Sequence, residues 1–163
     1  MNAFKAIRNN IPNTITCLNL FAGAMACVFA LKGNEPVGNL TSYQVAFIFI
    51  VLAAMFDFCD GLVARLLNSV SPIGKELDSL SDCVSFGLAP AMLLYAAMEH
   101  FNPGDVANYS AFLIAVFGAL RLAKFNVDTT QTTTFKGLPI PANAIFWLGY
   151  INMCYERDSM NFA

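Results

Sequence analysis

Histidine is nearly missing from this sequence: His100 is the single one in 163 residues. A phosphotransfer enzyme that works through a pair of histidines is therefore excluded, and so is a His-rich metal site. Charge is scarce as well. Lys, Arg, Asp and Glu make up 12% of the chain, where a soluble domain carries about 25%. That is too little polar material to coat a globule, since 57% of the residues are hydrophobic and the mean hydropathy is +0.57. A net charge of only −2 gives no argument for nucleic acid as a partner. The cysteines, at positions 17, 27, 59, 83 and 154, form no C-x-x-C pair and no metal-ligand spacing; they read as small buried thiols.

What is present is a series of apolar runs long enough to cross a bilayer. The chain reads as all-α, a polytopic transmembrane helix bundle forming one membrane-embedded domain over residues 1–163. Five spans are visible: Ile11–Leu31, Tyr43–Leu67, Gly74–Met98, Tyr109–Phe125 and Leu138–Tyr155. Turn-rich connectors such as "KGNEP", "NSVSP" and "HFNPGD" separate them, and "DTTQTTT" is a polar loop. The leading "MNAFKAIRNN" precedes a run with no obvious cleavage site, so it reads as a short interfacial helix rather than part of a signal peptide. If the helices alternate, Lys5, Arg8, Arg65, Lys75, Arg121, Lys124 and Lys136 share one side, leaving Lys32 and Arg157 opposite. The positive-inside rule puts the first side in the cytoplasm.

Four aspartates sit between apolar runs on that side, in "DFCDGLVARLLNSVSPIGKELDSLSD" (Asp57–Asp82). Asp57, Asp60, Gly61 and Ala64 share one helix face, and Gly74, Asp78 and Asp82 share another. The turn between them offers Ser71 as an N-cap and Pro72 as a first helical residue. In an antiparallel hairpin, Asp57 then pairs in depth with Asp82, and Asp60 with Asp78. Four like charges at low dielectric repel one another, and a divalent cation removes the repulsion. All-oxygen ligation suits Mg²⁺ or Mn²⁺, and four carboxylates suit two ions, or one ion and a base. Gly61, Ala64 and Gly74 either pack helices tightly or leave room for a flat ligand; beside metal ligands, a nucleotide diphosphate suits them. Arg65 either contacts its phosphate or pairs with an aspartate.

The string D-x-x-D-G-x-x-A-R-x(8)-G-x-x-x-D-x-x-x-D, from Asp57 to Asp82, resembles without departure the signature of the CDP-alcohol phosphatidyltransferase family. That resemblance implies a six-helix membrane core, an active site at the cytoplasmic side of the inner membrane, divalent-metal dependence and a homodimer. It makes Asp57, Asp60 and Asp78 metal ligands and Asp82 the general base, which also touches metal. Gly61, Ala64 and Gly74, together with Asp57, Arg65 and Asp78, would line the cytidine-diphosphate site. Asn19 in "TCLNLFAG" would reach the same nucleotide. With five spans visible, the sixth helix is expected to be missing and the chain to be C-terminally incomplete.

Further stretches, "IPNTITCLNLFAG", "SDCVSFGLAPA", "ALRLAKFNV" and "FKGLPIPAN", resemble the phosphatidylserine synthase branch of that family. The resemblance implies CDP-diacylglycerol and L-serine as substrates, with phosphatidylserine and CMP as products of direct displacement. Serine's carboxylate wants a cation. Arg121 and Lys124, with Asn126 nearby, are candidates, although basic residues at a cytoplasmic helix end also serve as anchors. Two other functions compete. A sister transferase using glycerol phosphate or inositol phosphate would need a stronger cationic pocket. A cation or proton transporter would string its carboxylates through the membrane instead of gathering them at one end.

Overall fold

Each predicted span forms a helix over most of its length in the structure, a computed structural model that describes residues 3–69, 71–127 and 137–161, with side chains for residues 10–157 within those stretches. The side chains of Lys5 and Arg8, and all of Lys136 and the "DTTQTTT" loop, lie outside the described residues. Helix α1 runs Ala3–Leu31, followed by a two-residue β1 (Pro36–Val37) and β2 (Leu40–Thr41), and then α2 (Ser42–Leu66). Helix α3 (Pro72–Asp82) passes through a π-helical turn, Cys83–Leu88, into α4 (Ala89–Phe101). A 3₁₀ segment, Val106–Phe112, leads into α5 (Leu113–Val127), and α6 covers Ile140–Asn161.

The local signals explain these boundaries. Ser71 caps α3 by accepting from the Gly74 N–H at 3.0 Å, with Pro72 in its first turn. At the start of α2 the Thr41 N–H donates to Gln44 Oε1 at 3.0 Å. Pro90 withholds the N–H that would bond the Phe86 carbonyl, and the helix widens into its π turn just ahead of it. One expectation needs correcting. The N-terminal stretch is no separate interfacial helix, since α1 continues unbroken through Pro12. At the other end of the chain α6 begins at Ile140, and Gly137, at φ +94°, turns the backbone just ahead of it.

Among the described residues, four stretches are long and apolar enough to cross a membrane: Asn10–Leu31, Ser42–Leu66, Pro72–Phe101 and Val106–Val127. The fifth predicted span forms α6, but Asn143, Asn152, Glu156 and Arg157 dilute its apolar run, and it is not among those four. Large side chains such as Phe21, Phe58 and Phe117 face outward, an arrangement that suits hydrocarbon as solvent. The chain is an integral membrane protein. Cys17 and Cys59 also lie on the surface, so those two are not buried thiols.

Small residues set the packing. Ala22, Ala26 and Ala30 form a buried stripe on α1, and Ala46, Ile50 and Ala53 form another on α2. The two helices pack along most of their length, with close backbone approach in place of bulky interdigitation. Helix α1 also packs against α3 and the π turn. There the buried Ser81 and Ser85 hydroxyls donate to the Thr16 and Asn19 carbonyls, each at 3.1 Å. Such bonds between membrane helices average only about 0.6 kcal/mol. By contrast, α2 and α3 make little direct backbone contact. The predicted hairpin is therefore splayed, with α1 as the floor between its arms.

Candidate active site

The splay between α2 and α3 is what creates space. A cavity of about 240 Å³ opens there, bordered on α1 by Pro12, Asn13 and Thr16. Helix α2 contributes Asp60, Gly61, Ala64 and Arg65, and α3 contributes Gly74, Lys75 and Asp78, with Ser69 and Ser71 from the turn. The two glycines do different work. A Cβ on Gly74 would stand 3.0 Å from both Asn13 Oδ1 and Ser71 Oγ, so this glycine allows close packing on α1 and the turn. A Cβ on Gly61 would meet only the Arg65 guanidinium, at 3.5 Å. Gly61 therefore widens the cavity, where the sequence left both roles open. The Arg65 Nε donates to the Gly61 carbonyl at 3.0 Å, which lays the guanidinium along the cavity wall.

At the inner end of this space the carboxylates converge. Asp57, Asp60 and Asp78 each present a ligand atom, and these atoms lie within 4.8 Å of one another. Asp57 also comes within hydrogen-bonding reach of Asp82. The depth pairing expected of the hairpin thus holds although its helices diverge. Asp60 is buried and its Oδ2 finds no hydrogen-bond partner among the described residues. A buried, unpartnered carboxylate oxygen beside two more carboxylates is a donor set that fits a hard divalent cation. Asp82 reaches Asp57 but is not one of that mutually close trio. It is 9% exposed, and Asn19 Nδ2 donates to its Oδ1 at 3.5 Å.

A second cavity, of about 220 Å³, lies on the other side of α3. It shares Lys75 and Asp78 with the first and adds Asp82, Arg121 and Asn126, closed by Pro139, Ile140 and Pro141 at the start of α6. Asn126 Nδ2 donates to Ser79 Oγ at 2.8 Å, tying α5 to α3. Arg121 also borders a larger apolar groove of about 890 Å³ between α4, α5 and α6.

Most of the site residues expected from the sequence therefore meet at one end of the bundle. Three placements differ. Asn19 is fully buried, its side chain bonded to Asp82, and it does not line the first cavity. Asp57 joins the carboxylate cluster without lining that cavity. Lys124 is exposed and outside the second cavity, because α5 turns residues 121, 122, 125 and 126 toward it. Sequence reasoning missed Asn13, Thr16 and Lys75. Asn13 and Thr16 precede Asn19 at helical spacing on the same helix, a signal that could have found them. Lys75 carried none beyond its charge.

Comparison with known proteins agrees with this geometry. The family model for CDP-alcohol phosphatidyltransferases matches residues 9–160. A CDP-diacylglycerol–serine O-phosphatidyltransferase of Bacillus subtilis is 39% identical over 133 residues, covering 82% of this chain and 70% of that protein. The protein of the same name from Saccharomyces cerevisiae is 40% identical over 156 residues, 90% of this chain and 55% of that one. An archaetidylserine synthase of Methanothermobacter thermautotrophicus is 37% identical over 137 residues, 83% and 54%. The chain thus spans between about half and seven-tenths of the length of these relatives. No solved structure matches it. With the match running through α1 to α6 and the carboxylate cluster inside it, the chain belongs to the CDP-alcohol phosphatidyltransferase family.

Proposed function

We propose that this chain transfers the phosphatidyl group of CDP-diacylglycerol to the hydroxyl of L-serine, giving phosphatidylserine and CMP. The observation that carries the reading is the pair of cavities on either side of Asp78, one walled by Gly61 and Arg65 and the other by Asp82 and Arg121. Two substrates can approach one carboxylate cluster from opposite sides, as direct displacement requires. The names of the relatives supply serine as the acceptor.

In this reading Gly61, Ala64 and Gly74 shape the space for the cytidine diphosphate, and Arg65 lies along its phosphates. Asp57, Asp60 and Asp78 would hold Mg²⁺ or Mn²⁺, two ions if Asp82 joins them. Such a cation, when bound, would supply charge neutralisation to the pyrophosphate and to the departing CMP. Asp82 accepts the serine hydroxyl proton as that oxygen bonds to the phosphorus bearing the diacylglycerol. The bond from that phosphorus to CMP breaks as the new one forms. Without a pair of histidines in the described chain, no residue set for a histidine relay competes with this path. The basic residues Arg65, Lys75, Arg121 and Lys124 all sit at the site's end of the bundle, which supports a site facing the cytoplasm.

CMP release tests the reading directly. With CDP-diacylglycerol, it should require both serine and Mg²⁺ or Mn²⁺, stop on chelation, and fail with glycerol phosphate or inositol phosphate as acceptor. Release dependent on either phosphorylated acceptor would reassign the substrate, and cation transport without CMP release would reassign the class.

Arg121 is assigned to the serine carboxylate. Arg121→Lys keeps the charge but loses the planar fork that grips a carboxylate through two bonds. The KM for serine should rise by about tenfold, the equivalent of one lost charge-assisted hydrogen bond, with that for CDP-diacylglycerol unchanged. Ethanolamine, which lacks the carboxylate, should be a poor acceptor that the substitution hardly affects. Equal losses for the two acceptors would place the carboxylate site elsewhere.

A further inference from the structure

We propose that Ser85 is a positioning residue for Asp82, acting through Asn19 and made possible by Gly23. The inference rests on Asp82 as the proton acceptor and adds residues to which the family signature gives no part. Asp82 is held between two serines that are themselves fully buried, Ser81 before it and Ser85 beyond it. Ser81 Oγ donates to the Thr16 carbonyl and Ser85 Oγ to the Asn19 carbonyl, both at 3.1 Å. Both acceptors lie inside α1, where each carbonyl already serves the helix and takes the serine on its second lone pair. The serines therefore rescue no orphaned group. What they fix is the rotation and depth of the α3–π segment against α1, at two points flanking Asp82.

Asn19 completes the connection. Its backbone carbonyl accepts from Ser85 while its side-chain Nδ2 donates to Asp82 Oδ1 at 3.5 Å. One residue of α1 thus links the serine to the carboxylate. Its side chain is fully buried, and its Oδ1 has no partner among the described residues. An amide held that way without a second bond is placed by its surroundings, and Ser85 is part of them. Gly23, one turn further along α1, clears the space. A Cβ there would overlap Ser85 Oγ and stand 2.8 Å from Ser85 Cα, against backbone that cannot yield. The π turn starts at Cys83, between Asp82 and Ser85, so the clamp spans the point where the helix changes its winding.

A double-mutant cycle separates positioning from support. Ser85→Ala removes a bond that contributes little to stability, so the protein should insert and unfold thermally like the wild type. Its kcat for serine should fall by about ten- to a hundredfold, as small misplacements of a reacting group do. The KM for CDP-diacylglycerol and the Mn²⁺ concentration for half-maximal rate should stay within twofold. On the residual rate of Asp82→Asn, measured at raised enzyme concentration, Ser85→Ala should have less than a twofold effect, because the group it positions is gone. Asn19→Ala keeps the backbone acceptor of Ser85 and should show the same loss of effect, which covers the case of a poorly folding Ser85 variant. Losses that multiply with Asp82→Asn in either variant, or an unchanged kcat in Ser85→Ala, would overturn the inference. A fully active Asp82→Asn enzyme would instead remove the base assignment, and the inference with it.

Discussion

Replacing any one of Asp57, Asp60 or Asp78 with Asn should lower CMP release by about 10²–10³-fold or more, the range seen when one group that stabilises developing charge is removed. The three carboxylates present their ligand atoms within 4.8 Å of each other. At that spacing a shared cation would offset the repulsion of each carboxylate by the other two. An amide keeps the shape and one acceptor oxygen but gives up the negative charge, so it weakens ion binding without opening a hole in the helix packing. The variants should therefore insert normally, and the Mn²⁺ concentration needed for residual activity should rise. Asp60→Asn carries the sharpest form of the test. Its Oδ2 is buried without a partner among the described residues, so the substitution breaks no hydrogen bond at that atom. Full activity for Asp60→Asn at ordinary metal concentration would show that this oxygen faces no cation, and the cluster would lose its assigned role.

The carboxylate cluster was legible because it depends on periodicity and on the turn. A 3.6-residue period puts Asp57 and Asp60 on one face, and the cap at Ser71 fixes where α3 begins. Equal distance from that turn then pairs Asp57 with Asp82, whatever the angle between the helices. The angle itself was not legible. It is set by α1 lying between the two arms, through contacts such as Gly74 against Asn13 and Ser85 against Gly23. These join residues more than sixty positions apart and leave no local pattern. The π turn was hidden for a related reason: one extra residue per turn looks like noise in an apolar run. The Asn19–Asp82 contact was hidden by both. The helix and face of Asn19 were readable, but whether that face met the cavity or the carboxylate depended on how α3 and its π turn sit on α1. The position of Lys124 outside the second cavity has a simpler reason. Basic residues three apart looked like one group, while the face of α5 that borders the cavity includes only Arg121 of the two.

Asp82→Asn should act differently from the other three substitutions. Asp82 lies outside the closely grouped trio, takes a bond from Asn19 at 3.5 Å, and borders the second cavity together with Arg121. In the proposed reaction a carboxylate in that position would face the acceptor as well as the pyrophosphate. Loss of a general base costs about 10²–10⁴-fold, and the loss should fall on kcat for transfer to serine. Binding of CDP-diacylglycerol with metal should persist, since Asp57, Asp60 and Asp78 are untouched. Binding must be measured without turnover, by titrating lipid nucleotide and Mn²⁺ in the absence of serine. If Asp82→Asn loses lipid-nucleotide binding together with turnover, Asp82 is an essential metal ligand and the proton must leave by another route. If binding persists and only transfer is lost, the two sides of α3 divide the labour: the trio holds the leaving group, and Asp82 prepares the hydroxyl that displaces it.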